Sequence, residues 1–319
     1  MSEASNSGPV TAFAPATVAN VGVGFDVLGF ALAAVGDRVT VSRDDGADRV
    51  TIDSVQGVVS ELPLDPDRNT ASVAVRAMWR DLGLTGGLRI LIEKGIPLGS
   101  GMGGSAASAV AAVVAANALL PEPLPRQRLL GYAALGEAAA SGAPHADNAA
   151  PCLYGGLVAV VGDDPLKVVP VPVPTGLICV LVHPHLRIET RAARAVLRRE
   201  IGLAEHVRHS MRLTGFLAGC FRDDLELIRE AMHDEIVEPQ RATLIPGFAD
   251  AKAAALAAGA IGFAIAGSGP SVFAWVGSRA DAAEVERAIR DAFRLHDLES
   301  DGWISPIDRT GAVPLETGP

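Results

Sequence analysis

"IPLGSGMGGSAASAVAA", residues 96–112, sets four glycines ahead of an alanine-rich run. Its glycines match two phosphate-binding templates in part. Gly99-x-Gly101-x-x-Gly104 has the spacing of a dinucleotide-binding turn, and Gly99-x-x-x-x-Gly104 followed by Ser105 comes close to a P-loop. Neither template survives its surroundings. A dinucleotide turn follows a strand directly and needs an acidic residue about 20 positions on. Here Pro97 breaks the strand first, and Glu122, near that offset, falls in "LLPEPLP", a helix end and loop. A P-loop needs a Lys among its last residues, and this run has none. What remains is general physics: glycines let the backbone curl at positive φ, and a helix starting near Ser105 aims the positive end of its dipole at the same spot. An anion fits there. A plain tight loop with Ser105 as helix N-cap fits the same six residues.

The rest of the chain sets the frame. A length of 319 residues exceeds one ordinary core, so two packed domains are expected. Apolar residues make up 49% and aromatics only 4%, so Ala, Val and Leu do the packing and helix-on-sheet layers suit the composition. A formal charge of −10 with scattered Lys and Arg argues against nucleic acid as a partner, although local N–H groups and a few cations can still hold an anion. Cys152, Cys179 and Cys220 lie far apart without a C-x-x-C, which suggests neither a disulfide framework nor a zinc ribbon and points to a reducing cytoplasm. "MSEASNSGPV" lacks the basic and apolar regions of a signal peptide and reads as a short disordered lead. The uncharged run 95–121 starts with Gly, Pro and Ser, and its helical part, 106–120, is shorter than the roughly 20 residues that span a bilayer. It reads as a buried helix after a loop, with no membrane partner.

Periodicity orders the elements. "TAFAPATVAN", "DRVTVSR", "GLRILIEKGIP" and "GLVAVVG" read as strands; "TASVAVRAMWRDLG" and "RQRLLGYAALGEAAASG" read as helices. The Pro-rich "DDPLKVVPVPVPTG" is the best domain boundary. Beyond it, "LICVLVH" is a strand, "RAARAVLRREIG" and "EHVRHSMRLTGFLAGCF" are helices, "AIGFAIAGSGPSVFAWVG" is a hairpin turning on residues 267–270, and "RADAAEVERAIRDAF" is an amphipathic helix. Two strand–helix units around a hairpin suggest a ferredoxin-like plait. The last dozen residues read as an exposed tail.

Three segments, "APATVANVGVGFDVLGFAL" (14–32), "IPLGSGMGGSAASAVAA" (96–112) and "GFAIAGSGPSVFAW" (262–275), together and in this order resemble the three motifs of the GHMP small-molecule kinases. "SGAPHADN" (141–148) and "EPQRATLIPGF" (238–248) are similar to further blocks of the branch that phosphorylates homoserine. Met102 stands where the family usually has Leu, and Gly104 where a first Ser is common, while Ser105 is kept. The resemblance implies an α+β fold of two domains: residues 9–164 as a mixed α/β domain of the ribosomal protein S5 domain 2-like type, and residues 175–306 as the plait.

It also implies chemistry. ATP is the phosphoryl donor, its triphosphate wrapped by Pro97, Leu98, Gly99, Ser100, Gly101, Met102, Gly103, Gly104, Ser105, Ala106 and Ala107. Asn69 reaches the adenine side, or else caps a helix. Ser105 and Glu137 hold Mg²⁺; alone, Glu137 reads as a solvated carboxylate. On the substrate side, Asp26 with Asn20 meets the ammonium of homoserine, Arg194 and Arg241 grip its carboxylate, and Gly267 brings in the second domain's backbone. Taken alone, Arg194 with Arg191 and Arg198 is a wet helix face. His145 and Asn148 contact the hydroxyl, with the γ-phosphate itself taking the proton; Asp147 is the competing base. A homodimer is expected. Superfamily kinases acting on mevalonate or a sugar, and a catalytically silent GHMP-like protein, stay open as alternatives; the first two substrates lack the ammonium that Asp26 would meet.

Overall fold

The strand Gly87–Lys94 shows how the sequence builds the first layer. Leu88, Ile90 and Ile92 point inward, Arg89, Leu91 and Glu93 outward, and the same parity carries Lys94 into the interior. The computed structural model of the protein describes residues 8–142 and 146–316; His145 and positions 1–7 of the N-terminal lead lie outside them, while Val10, at the end of that lead, already belongs to the first strand. In chain order the first part runs β1 (Val10–Ala19), β2 (Leu28–Asp44), β3 (Val50–Gly57), α1 (Thr70–Asp81), β4 (Gly87–Lys94), α2 (Gly104–Asn117), α3 (Arg126–Ser141), α4 (Ala146–Tyr154), β5 (Leu157–Asp163) and β6 (Leu166–Val171). The second runs β7 (Ile178–Pro184), α5 (Thr190–Ala195), α6 (Leu203–Arg222), α7 (Leu225–Ala231), α8 (Glu238–Arg241) with a following turn of 3-10 helix, α9 (Phe248–Ala257), β8 (Gly262–Ile265), β9 (Val272–Val276), α10 (Arg279–Arg294), β10 (Ser300–Pro306) and β11 (Val313–Pro314).

The first sheet has the order β11-β1-β2-β4-β3, and the near end of the long β2 also pairs β5, which pairs β6. α2 is apolar on every side and buried from Ala106 to Asn117 between this sheet and helices α1 and α3, as the uncharged run led us to expect. No described helix is long and apolar enough to cross a membrane. The second sheet has the order β10-β7-β9-β8, with every pair antiparallel, which is the ferredoxin-like arrangement. Alternation along β9 divides its side chains: Val272, Ala274 and Val276 join the core under α9 and α10, while Phe273 and Trp275 face the first domain. There Trp275 meets Phe30 of β2 and Phe216 of α6, each at 5.5 Å between ring centroids. The two layers are thus joined through one aromatic cluster.

Three expectations are corrected. The Pro-rich boundary carries β6, so the first sheet continues to Val171; Pro170 is tolerated because β6 is an edge strand. The tail is docked: β11 pairs β1, Ala312 is buried, and Arg126 donates to the carbonyls of Leu153, Thr310 and Ala312. The helix expected over 191–202 ends at Ala195, and the N–H of Arg198 bonds the side chain of Gln240, so the arginine stripe is not one helix face. One helix has no counterpart among the expected elements: α4 is hidden by Pro151, which removes the N–H that would bond the carbonyl of Asp147.

Candidate active site

A cavity of about 620 Å³ lies between the two domains, bounded by the glycine loop, the mouth of α2, the turn after β1 and the second domain's hairpin. The loop reaches its shape through glycines in the left-handed region, including Gly99, Gly101 and Gly103 at φ of 63°, 79° and 70°. At Gly101 a side chain is impossible for a second reason. A Cβ there would stand 2.4 Å from the carbonyl oxygen of Ala266 and 2.7 Å from that of Gly269, so the loop lies directly on the hairpin turn. Its carbonyls are tied down from three directions: Ser271 N donates to Ser100 O, Ile188 N to Gly99 O and Thr17 N to Met102 O, each at 3.1 Å. The cap of α2 is Gly103 rather than Ser105, and no side chain caps the helix. Its first N–H groups therefore have no intrahelical partner and lie at the cavity wall, where an anion would satisfy them.

Ser105 instead donates its hydroxyl to Glu137 Oε1 at 3.0 Å. Glu137 is buried, unlike the solvated carboxylate that α3 alone suggests, and burial pushes its carboxyl up, opposed by the Ser105 bond and by Lys94. Lys94 is the functional candidate that sequence reasoning missed. It forms a buried ion pair with Asp37 and donates to Gly104 O at 2.7 Å and Ser108 Oγ at 3.0 Å, which sets a cation beneath the first turn of α2. A P-loop carries its lysine among the glycines; here one arrives from the preceding strand. The signal was legible, since period-two alternation through "LRILIEK" assigns Lys94 to the inward face.

Of the other residues expected at the nucleotide, Pro97, Leu98, Gly99, Ser100, Gly101, Gly103 and Gly104 line the cavity. Met102, Ala106 and Ala107 are fully buried behind the loop and present no side chain to it. Asn69 lines the far edge and also caps α1, accepting from Ala71 N at 3.1 Å and donating to Pro63 O at 3.1 Å.

Opposite the loop stands a cluster of charge. The turn between β1 and β2 holds Asn20, Val21 and Asp26 at φ of 72°, 45° and 58°. Such left-handed positions cost about 1–3 kcal/mol each for residues other than glycine and collect at ligand clamps. Asn20 braces the turn by accepting from Asp26 N at 3.0 Å and donating to Gly267 O at 2.7 Å. Asp26 and Arg194 do not stand ready for separate ends of a ligand; they hold each other, with Nη1 and Nη2 at 3.1 and 2.8 Å from the two carboxylate oxygens. Arg241 is buried and spends Nη1 on Gly267 O at 2.8 Å and Nε on Ala193 O at 3.2 Å. Both guanidiniums lie over one ring, Phe25, with Cζ 5.5 and 5.1 Å from its centroid. Burial, then the charge of Arg194, brings Arg241 down to about 10.

Asp147 and Asn148 enter from the first turn of α4 and line the same cavity. Burial pushes Asp147 up to about 7, reinforced by the charges of Asp26 and Glu137 and opposed by Arg194. Asn148 accepts the hydroxyl of Thr17 at 2.8 Å. The structure thus brings together every described candidate except the three hidden behind the loop.

A left-handed glycine loop at a helix mouth, facing Asp26, Arg194 and Arg241 across a cleft between an α/β layer and a plait, is the arrangement of a GHMP kinase. The GHMP kinases N terminal domain model matches residues 69–156 and the GHMP kinases C terminal model residues 216–295. The chain belongs to the homoserine kinase family of that superfamily. It is 50% identical over 301 residues to the homoserine kinase of Xylella fastidiosa strain M12, covering 94% of this chain and 92% of that protein. The homoserine kinase of Chloroherpeton thalassium is 45% identical over 313 residues, covering 95% and 98%. The crystal structure of homoserine kinase from Cytophaga hutchinsonii superposes with a TM-score of 0.94 at 43% identity, covering 99% of this chain and all of that one. Mevalonate kinase of L. major, at 14% identity and a TM-score of 0.72, shares the fold.

Proposed function

We infer that the protein transfers the γ-phosphoryl group of ATP to the side-chain hydroxyl of L-homoserine. The observation that carries the reading is the joint one: near-full-length identity to homoserine kinases, and a cavity in which the α2 mouth faces the Asp26, Arg194 and Arg241 cluster. Phosphoryl transfer asks for positioning and charge neutralisation more than covalent work. The orphan N–H groups of α2 and the loop receive the phosphates, with Lys94, paired to Asp37, bracing the first turn of α2 behind them. The hydroxyl of Ser105 and the carboxylate of Glu137 are hard oxygen donors 3.0 Å apart, which fits Mg²⁺; when bound, that ion neutralises phosphate charge.

Asp26 takes the ammonium, with Asn20 holding its turn, and the forks of Arg194 and Arg241 take the carboxylate. Asn148, together with His145, orients the hydroxyl for in-line attack, its proton leaving to a γ-phosphate oxygen. A second proton route is favoured by one observation: Asp147, beside Asn148, is raised to about 7 and suits a general base near neutral pH. Loss of kcat in Asp147→Asn with a flat acidic limb supports that route; near-normal kcat supports the base-free one. A cytoplasmic homodimer belongs to the same reading, and sedimentation tests the dimer.

The assay is ADP release with homoserine, mevalonate and galactose offered in parallel. Turnover with homoserine alone, a KM raised for homoserine in Arg194→Ala, and a kcat lowered in Ser105→Ala are the expected results. Turnover of mevalonate or galactose instead of homoserine refutes the reading.

A further inference from the structure

One buried side chain joins three elements of the site. Thr17 sits on β1 with no exposed surface, yet its hydroxyl is spent on Oδ1 of Asn148 at 2.8 Å, across 131 positions of sequence. Its backbone N–H also donates to Met102 O of the glycine loop at 3.1 Å. The third member of the contact is Gly103, the left-handed cap of α2. A Cβ on Gly103 would fall 2.0 Å from Thr17 Oγ1 and 2.8 Å from Asn148 Oδ1, so the loop, the strand and α4 meet here with no room for any side chain on the loop.

We propose that Thr17 is a positioning residue that sets the orientation of the Asn148 carboxamide, turning its NH₂ end to the cavity. A carboxamide has one accepting and one donating end that are nearly identical in shape, so sterics alone cannot choose between them. In this structure the Thr17 hydroxyl meets the accepting end. By donating to Oδ1 it fixes the oxygen against β1 and leaves the NH₂ group for the cavity that Asn148 lines. The reversed carboxamide would present an oxygen to a site where negative charge develops on the transferred group, which is unfavourable. Because the same residue holds Met102 O, the donor of Asn148 and the mouth of α2 are referenced to one rigid strand. This inference rests on the reading of Asn148 as a contact of the reacting hydroxyl.

The experiment compares Thr17→Val, which keeps the shape and removes the hydroxyl, with Thr17→Ser, which keeps the hydroxyl. In wild-type background Thr17→Val lowers kcat with homoserine by about 10- to 100-fold, the range for loss of one preorganised donor, with KM for ATP within about twofold. Thr17→Ser restores kcat to within about threefold. In an Asn148→Ala background Thr17→Val changes kcat by less than about twofold, since the group it positions is gone. A purely structural Thr17 would lower kcat equally in both backgrounds, and that outcome overturns the proposal. A second measurement does not depend on the substrate: the side-chain NH₂ resonances of Asn148 in a ¹⁵N spectrum, identified by their loss in Asn148→Ala. They move in Thr17→Val and hold in Thr17→Ser; unmoved resonances in Thr17→Val refute the proposal even if the protein phosphorylates no homoserine. A wild type inactive on homoserine whose resonances respond as stated refutes the function and keeps the positioning role.

Discussion

Asp26→Asn tests how the site chooses its substrate. In the free protein Arg194 is already engaged by both oxygens of Asp26. A ligand carboxylate must therefore draw Arg194 from a carboxylate it holds. A zwitterion can do so without stranding either partner, because its ammonium takes the place of Arg194 at Asp26. A monoanion takes Arg194 from Asp26 and offers it no cation in exchange. For charges near 4 Å apart the attraction is about 4 kcal/mol at an effective dielectric of about 20 and about 1 kcal/mol in bulk water. With the two side chains 31% and 27% exposed, about 2 kcal/mol is the appropriate discount, or about 30-fold in affinity. Asp26→Asn frees Arg194 of that attraction. The kcat/KM for γ-hydroxybutyrate, which is homoserine without its ammonium, should then rise by about 10- to 30-fold, while that for homoserine falls by about 30-fold or more. Coupled ADP release on both alcohols, for both proteins, gives the four values needed. If both substrates lose equally, or γ-hydroxybutyrate gains nothing, the ion pair is not what excludes monoanions.

Three further outcomes follow from the geometry. Gly101→Ala forces a Cβ against the carbonyls of Ala266 and Gly269 and, at φ of 79°, adds about 1–2 kcal/mol of backbone strain; a raised KM for ATP with intact far-UV circular dichroism is expected, and an unchanged KM refutes the account of the loop. Asp147 has a folded pKa raised from 3.8 to about 7, so it binds its proton more tightly folded than unfolded, and stability falls as pH rises between those values and is flat beyond. Asp147→Asn removes that slope, worth up to about 4 kcal/mol, so urea midpoints at pH 5 and pH 8 should converge in the variant. Lys94→Met strands Asp37 in the interior and should cost about 3–5 kcal/mol in denaturant unfolding, with Lys94→Met/Asp37→Asn recovering part of it.

The helices α1, α2 and α3 and the plait were legible because their apolar spacing is regular and their ends are marked. α4 was not, since Pro151 breaks the local rule and tertiary packing against β1, β2, α2 and α3 sustains the helix. β6 hid behind Pro170 for a similar reason: a proline reads as a break unless one knows the strand lies at an edge. The left-handed loop was visible in its glycines, whereas Lys94 is marked only by the parity of the strand before that loop. That Asp26 and Arg194 engage each other could not be read at all. They are 168 positions apart, and no local pattern says which charges meet across a cleft. The burial of Glu137 likewise depends on α3 lying against α1 and α2.

The pairing of β11 with β1 has a consequence for how the chain is made. Val313 and Pro314 cover one margin of a sheet whose opposite partner, β1, leaves the ribosome nearly a whole chain earlier. Throughout synthesis that margin stays open, and an uncovered strand edge invites pairing with a neighbouring nascent chain. A fusion or deletion beyond Pro306 would prolong this vulnerable interval, so soluble yield should suffer before turnover per folded molecule does.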